Sequence, residues 1–471
     1  MKKIILAVSF CFSLLGIQAQ ELPVDFNEGV DLMAMVWRLT GDRTYNYSTV
    51  SDYCQAADEY FAPYKEHPVV AKAIECMETT GIGYDAVASY GLHLVISADG
   101  KLSYNQQFAD NGDTSFDRWS NQQKEEFLPI LEDFYHESNF HQWYVSTEAV
   151  RNEAITAFDE VANELDMQWF DKFFGPKPGN SQFRVVLSIL CGVCNYGCSA
   201  KMKDGSEQLS PVISCCSADK EGNLFYYMDA VLPIVVHEFC HSYCNPLNAE
   251  YWDGMKDKAA EVFEINSEKL SAMAYPDAKI MMDETFVRSS VIRYQMSHGM
   301  NHLKDKLLIE PTKLGFLLAS DMVEALGRYE EGDYASMNDF MPEIVKMVNT
   351  FDIEKTLQTM AEAARDNATY TCNIQDGATD IPSGESNLVI IFSKSMVPTI
   401  ALGYGRGTGE FISLARGMES VSWDETNTIQ TIELNLKPHT QYSFSILGDS
   451  YKTQDEHDAG ETLFIDFTTG D

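Results

Sequence analysis

The pattern of apolar and polar positions changes character along this chain of 471 residues. From Ser120 to Phe174 apolar side chains recur at spacings of three and four, as in TEAVRNEAITAFDEVANELDMQWFDKFFG, and that period predicts helix. Earlier, SDYCQAADEYFAPYKEHPVVAKAIECMETTG reads as helix, with Ser51 as N-cap and Gly81 as its stop. GLHLVISADGKLSY alternates about Asp99-Gly100, the pattern of a β-hairpin. GPKPGN breaks the helical region, and FRVVLSILCGV (183–193) then has the β-branched, apolar character of a buried strand. VLPIVVHEFCHSYCNPLN (231–248) is apolar nearly all round, so it predicts a buried helix capped by Asp229, with Pro233 early and Pro246 closing it. DAKIMMDETFVRSSVIRYQMSHGMNHLKDKLL reads as a second long helix, and two more follow before residue 367. Beyond that point CNIQDGATDIPSGESN reads as a linker, and short alternating segments run to the end. The expected fold class is α+β: a mainly helical region with a small sheet, followed by a β-sandwich.

The first twenty residues change the picture of where the chain works. Lys2 and Lys3 precede the apolar stretch IILAVSFCFSLL, and Ala19 offers a small residue for cleavage, the order of a secretory signal peptide. Cys11 follows Phe10 and lacks the small-residue setting of a lipid-modified cysteine, so a lipoprotein is disfavoured. The expected organisation is a signal over 1–19, an N-terminal α+β part over 20–130, a core over 131–367, a linker over 368–384 and a sandwich over 385–471. The mature chain is expected to be secreted or periplasmic, and no later apolar run is long enough for a transmembrane helix. Net charge is −37, and loss of Lys2 and Lys3 makes it more negative still. Such an acidic chain repels nucleic acid and anionic membranes, so neither is an expected partner. Of eleven cysteines, Cys191, Cys194, Cys198, Cys215, Cys216, Cys240 and Cys244 crowd one region. Cys191-x-x-Cys194 has no second C-x-x-C to complete a zinc site, which favours thiols or disulfides that brace the fold there.

The chemistry concentrates in His237-Glu238-x-x-His241. On a helix, positions i and i+4 share a face, so both imidazoles can address one ion, while Glu238 lies about 100° round, where it can reach a bound water. Burying two histidines and a glutamate costs several kcal/mol unless they are satisfied, and a metal satisfies them. The metzincin extension fails, because Cys244 stands at its glycine and Leu247 at its last histidine. A third ligand is therefore sought among Glu261, Glu264, Glu268 and Glu284. Glu284 is preferred, since it opens a long helix after the apolar IMM and has Arg288 one turn on to orient its carboxylate. His298 and His302 share its face but lie about 21 and 27 Å along the axis. Tyr196 and Tyr294 are candidates for stabilising an oxyanion, with core packing as the plainer reading of each. A strand ahead of the motif helix suits an edge that holds an extended peptide by main-chain hydrogen bonds.

With these residues the sequence resembles the gluzincin group of zinc metallopeptidases. VVHEFCHSYCNP and DETFVRSSVIRY look more closely like an uncharacterised family of exported bacterial proteins, a resemblance covering roughly residues 25–365. It implies a zincin-like catalytic domain with Glu284 as third ligand. NLVIIFSKSM, LKPHTQYSFSIL and LFIDFTTG are similar to strands of bacterial immunoglobulin-like domains, which implies a spacer or accessory binding module. The expected activity is zinc-dependent hydrolysis of a peptide or protein substrate, with His237, His241 and Glu284 on Zn2+ and Glu238 as general base. The alternatives are a zincin-fold protein that binds or assembles without catalysis, and a zinc hydrolase of non-peptide amides or esters.

Overall fold

The computed structural model describes residues 22–47, 49–110, 115–177, 180–192, 194–273, 275–300, 304–405, 409 and 418–471. The expected signal segment, 1–19, lies outside them. The chain is α+β and divides into two units, one of residues up to Ile265 together with Asp277–Asn349, the other of Asn266–Pro276 with Thr350–Asp471.

The first unit has a buried helix near its start. Strand β1 (Val24–Phe26) leads into helix α1 (Glu28–Leu39), which is buried from Gly29 to Leu39. Asn27 caps this helix by accepting from the Val30 amide. Most polar atoms of a helix so enclosed are satisfied internally, the Asp31 Oδ2 and Trp37 Nε1 being exceptions. Asp31 accepts from the Ser188 hydroxyl at 2.6 Å, and Arg38 holds Asp58 at 2.7 Å and donates to the Tyr45 carbonyl. Helix α2 (Asp85–His93) crosses α1 so closely that a Cβ on Gly91 would lie 2.6 Å from the Val30 Cα. Glycine in a helix interior costs about 0.5–1 kcal/mol relative to alanine, and here it permits the contact.

Further along, the predicted helix over 51–81 is two helices, Ser51–Phe61 and Pro68–Thr80. Pro63 and Pro68 account for the break, since neither can donate into a continuing helix. Ser51 is the first helical residue rather than a side-chain cap, while Gly81 does end the second helix in a left-handed conformation, φ 66°. The hairpin forms as read, with Leu94–Ile96 antiparallel to Leu102–Tyr104 and Gly100 at φ 80°.

Strand β2 (Val185–Leu187) is buried at every position and pairs in parallel with β1 on one side and β3 (Val212–Ile213) on the other. It is thus the central strand of a three-stranded sheet, and the expected substrate-holding edge does not lie there. A continuous apolar run marks a strand covered on both faces, and it cannot reveal that both edges are also taken.

Helix α3 (Met228–Tyr251) carries the His-Glu-x-x-His motif and α4 (Ala278–Ser297) carries Glu284. Asp229 sits inside the first turn of α3, beyond the N-cap Tyr227, where its charge still complements the helix dipole. Helix α4 starts with Asp277 accepting from the Ile280 amide and ends at Ser297, so the predicted long helix stops short of Leu308. The two helices run antiparallel, since Asn248 meets Asp283 while Cys244 meets Ser290 further back. Phe239, Cys240 and Cys244 of α3 and Met281, Met282, Phe286 and Val287 of α4 are buried, none more than 1% exposed. Helices α5 (Ala319–Glu331) and α6 (Met337–Asn349) complete this layer.

In the second unit, two four-stranded sheets enclose one cluster of buried side chains, including Leu388, Ile390, Ile432, Phe444, Ile465 and Phe467. The stretch expected as a linker, 368–384, contributes strands Tyr370–Cys372 and Ala378–Ile381 to those sheets. Polar, turn-rich strands of three or four residues carry no readable period and are set by pairing with longer neighbours, here Gly384–Phe392 and Leu463–Thr469.

Gly91→Ala should force α1 and α2 apart and cost about 1–3 kcal/mol. Chemical denaturation checks this, with Gly83→Ala, also free of positive φ but with nothing near its Cβ, as the control for adding a methyl group without a clash.

Candidate metal centre

One turn of α3 places the rings of His237 and His241 together, with Nε2 atoms 3.2 Å apart. Helix α4 brings the Glu284 carboxylate against both, Oε1 at 3.3 Å from the His241 Nε2 and Oε2 at 3.6 Å from that of His237. Two ring nitrogens this close with lone pairs facing each other repel unless a cation or proton lies between them. Ligand atoms about 2.0–2.1 Å from a tetrahedral ion stand about 3.3 Å from one another, and this triangle has that size. The donor set therefore fits a metal ion, and among the described residues it is the one group of three or more His, Cys, Asp or Glu that can hold one.

Access is graded across the group. The histidine side chains are 20% and 18% exposed, whereas Glu284 and Glu238 are each 9% exposed. The imidazoles thus remain reachable while both carboxylates are largely withdrawn from water. Burial alone would push the Glu284 carboxyl up, but His237 and His241 outweigh it and hold it well below the usual carboxylate range. Burial pulls His241 down, yet Glu284, Glu238 and the Asn245 amide together raise it to about 9. Glu238 lacks such a partner: burial raises its carboxyl, and the histidines only partly offset that. Its Oε2 lies 3.9 Å from the His241 Nε2, beside the donor triangle rather than within it. Arg288 donates from Nε to Glu284 Oε2 at 3.1 Å and lies over the Phe316 ring at 4.7 Å.

Several residues around the centre escaped the sequence reading. Gly197 packs directly on the motif helix: a Cβ there would lie 2.7 Å from the Glu238 carbonyl oxygen and 2.9 Å from the His241 Cβ. Its segment is held against β3 by reciprocal amide–carbonyl bonds between Tyr196 and Val212 at 2.9 and 2.8 Å. No local pattern signals this approach, because it joins residues more than 40 apart in sequence. Pro246, expected to end the helix, is passed over, and α3 continues to Tyr251. Proline at 246 cannot donate to the Ser242 carbonyl, and the Lys177 ammonium takes that carbonyl instead at 2.8 Å while also holding Glu207 at 2.6 Å. On the opposite face, the Asn248 amide donates to Asp283 at 3.1 Å and Lys279 to the same carboxylate at 2.8 Å, tying α3 to α4 beside Glu284.

The other candidates are dispersed. Tyr294 lies ten residues beyond Glu284, about 15 Å along the helix, where its hydroxyl accepts from the Asp166 amide at 2.8 Å and its ring stacks on His298. His298 itself faces Asp166 at 3.3 Å, and His302 lies outside the described residues. Tyr196 is buried with its hydroxyl enclosed, consistent with packing. Glu261 pairs with Lys258 at the surface. Cys191 and Cys194 join no metal-binding group among the described residues, and both are thiols outside any disulfide.

The family described as Domain of unknown function (DUF4932) matches residues 36–347, which include the whole donor triangle and Glu238. No curated protein matches the chain. Two solved structures align in part, surface layer protein SbsC domains 1–6 and the S-layer protein rSbsC(31–844). Identity is 13% and 14%, with 50% of this chain aligned to 33% of each of those chains at a TM-score of 0.16. The chain thus spans about a third of their length, and a likeness at that score carries no argument.

Gly197→Ala should push the motif helix away from the Tyr196 segment and weaken metal binding by tenfold or more with the chain still folded, as measured by chelator competition and circular dichroism. A second expectation concerns pH. The His241 proton is held more tightly in the folded than in the unfolded chain, so its stabilising contribution is complete below about pH 6.5 and is lost as pH rises through about 9. Metal-free protein should lose that contribution between these values, whereas metal-saturated protein should not, because ligation requires the neutral ring. Thermal denaturation across this range in chelator and in excess metal checks the sign.

Proposed function

The chain belongs to the family described as Domain of unknown function (DUF4932), and we propose that it is an exported zinc-dependent peptidase of gluzincin type. The observation that carries this reading is the donor triangle of His237, His241 and Glu284 with the Glu238 carboxylate 3.9 Å from one of its nitrogens. A site that only stabilises the fold needs ligands and no adjacent buried carboxylate. A base for hydrolysis must reach a bound water without being a ligand itself, and a carboxylate beside the triangle can do that.

His237 and His241 offer neutral Nε2 lone pairs, and Glu284 adds the negative charge. Arg288 fixes the orientation of Glu284 through the Nε bond. A bound zinc ion would supply Lewis-acid polarisation and a water whose pKa is lowered to near 7. Glu238 takes a proton from the attacking water and returns it to the leaving amine. Burial suits it to both steps, because raised proton affinity makes the carboxylate a better base and lets it hold the proton between them. The partial exposure of the two imidazoles leaves an approach for a carbonyl group. Export and an accessory role for the C-terminal β-rich unit belong to the same proposal, supported by the N-terminal sequence and by the absence of the donor residues from that unit.

Zinc content and cleavage of a broad peptide library should be measured for the parent chain, Glu238→Gln and Glu284→Ala. About one zinc is expected in the parent and in Glu238→Gln, with turnover in the parent alone. Glu284→Ala should bind zinc at least a hundredfold more weakly. Equal cleavage by Glu238→Gln would sink the base assignment. Zinc without turnover on any peptide would favour a binding protein or a hydrolase of other amides and esters.

A further inference from the structure

The motif helix carries one more polar side chain in line with the two histidines. Positions 237, 241 and 245 are successive turns of one face of α3, and the third is Asn245. Its side-chain oxygen lies 3.3 Å from the Nδ1 of His241, on the opposite side of the ring from the Nε2 that faces His237 and Glu284. An imidazole offers a lone pair at only one nitrogen when neutral, and which one is set by the hydrogen bond the other makes. An amide oxygen can only accept, so in this geometry it retains the proton on Nδ1 and leaves Nε2 bare. The reverse amide orientation, with its NH2 toward Nδ1, would move the proton to Nε2 and close that atom to any ligand.

We infer that Asn245 is a positioning residue that selects the ligand-competent tautomer of His241 and holds its ring, so that the working motif of this chain is His-Glu-x-x-His-x-x-x-Asn. The inference rests on the metal-site reading above and adds to it the residue that keeps the remaining proton on Nδ1 once the ring gives up its Nε2 proton to bind an ion. The arrangement is intrinsic to one helix and therefore rigid. Gly197 lies beside the same ring, since a Cβ there would stand 3.0 Å from the His241 Cδ2. The Asn245 oxygen opposes rotation of the ring, because a flip would lose its contact with Nδ1. Pro246 immediately follows, and the Lys177 bond to the Ser242 carbonyl keeps α3 helical across the position where Asn245 must project.

Two substitutions separate positioning from packing. Asn245→Leu keeps the size of the side chain and removes the acceptor; Asn245→Asp keeps an acceptor in the same place. Zinc affinity is measured by chelator competition, together with the visible spectrum of the Co2+-substituted protein and the 15N shifts of the His241 ring in metal-free protein under conditions where the ring is neutral. Asn245→Leu should weaken zinc binding by about 10–100-fold, change the Co2+ spectrum and give a mixture of ring tautomers. Asn245→Asp should stay within a few-fold of the parent and keep the Nδ1–H tautomer. Affinity and tautomer unchanged in Asn245→Leu would overturn the inference, as would equal losses in both variants. A parent chain that binds no zinc defeats the metal-site reading instead, and the tautomer measurement on metal-free protein still decides the role of Asn245.

Discussion

A single buried charge arrangement governs the architecture of the first unit: the Glu284 carboxylate held between two imidazoles from another helix. A carboxylate withdrawn from water is costly, and it persists only where positive or hydrogen-bonding groups surround it. Here the histidines supply that compensation so fully that the anion is favoured well beyond an ordinary carboxylate. Everything nearby can be read as a means of keeping α3 and α4 in the one register that permits this. The apolar faces of the two helices bring them together, and the Asn248–Asp283–Lys279 bridge resists sliding. Arg288 stops the carboxylate from turning away.

The same constraint explains features that look unfavourable in isolation. Pro246 interrupts the hydrogen-bond ladder of a 24-residue helix one turn beyond a ligand. A proline in a helix interior costs about 3 kcal/mol or more, and the fold answers with an ammonium group on the orphaned carbonyl. Gly197 has a similar logic, since its segment must lie against the helix backbone to close one wall of the centre. These compensations come from chain segments far from the motif, so the site is a property of the whole unit rather than of one helix.

How much of this was legible in the sequence depended on the range of the interaction. The hairpin at Asp99-Gly100, the Gly81 stop and the helical character of 231–248 are local, and each formed where the pattern placed it. Glu284 could be picked out because its own neighbours, IMM before it and Arg288 after it, already distinguished it from Glu261. Asn245 stands one turn beyond His241 by the same rule of i and i+4, but only the continuation of α3 past Pro246 makes that turn helical. By contrast, the break within 51–81 lay in plain view as Pro63 and Pro68 but was masked by apolar residues that keep a helical period across it.

By itself, the amino-acid sequence determined the α+β class, the identity of the motif helix and the pair of imidazoles that one turn of any α-helix would bring to a common face. Those are consequences of backbone periodicity, which acts over a few residues and is written in every window of the chain. Only the tertiary structure decided that β2 would be a central strand and not an edge, that Lys177 would carry α3 past Pro246, and that Gly197 would sit on His241. It also set the 3.2–3.6 Å triangle that makes three separate side chains one centre. These depend on which surfaces meet across tens to hundreds of residues, and no local window of the sequence contains both partners of such a contact.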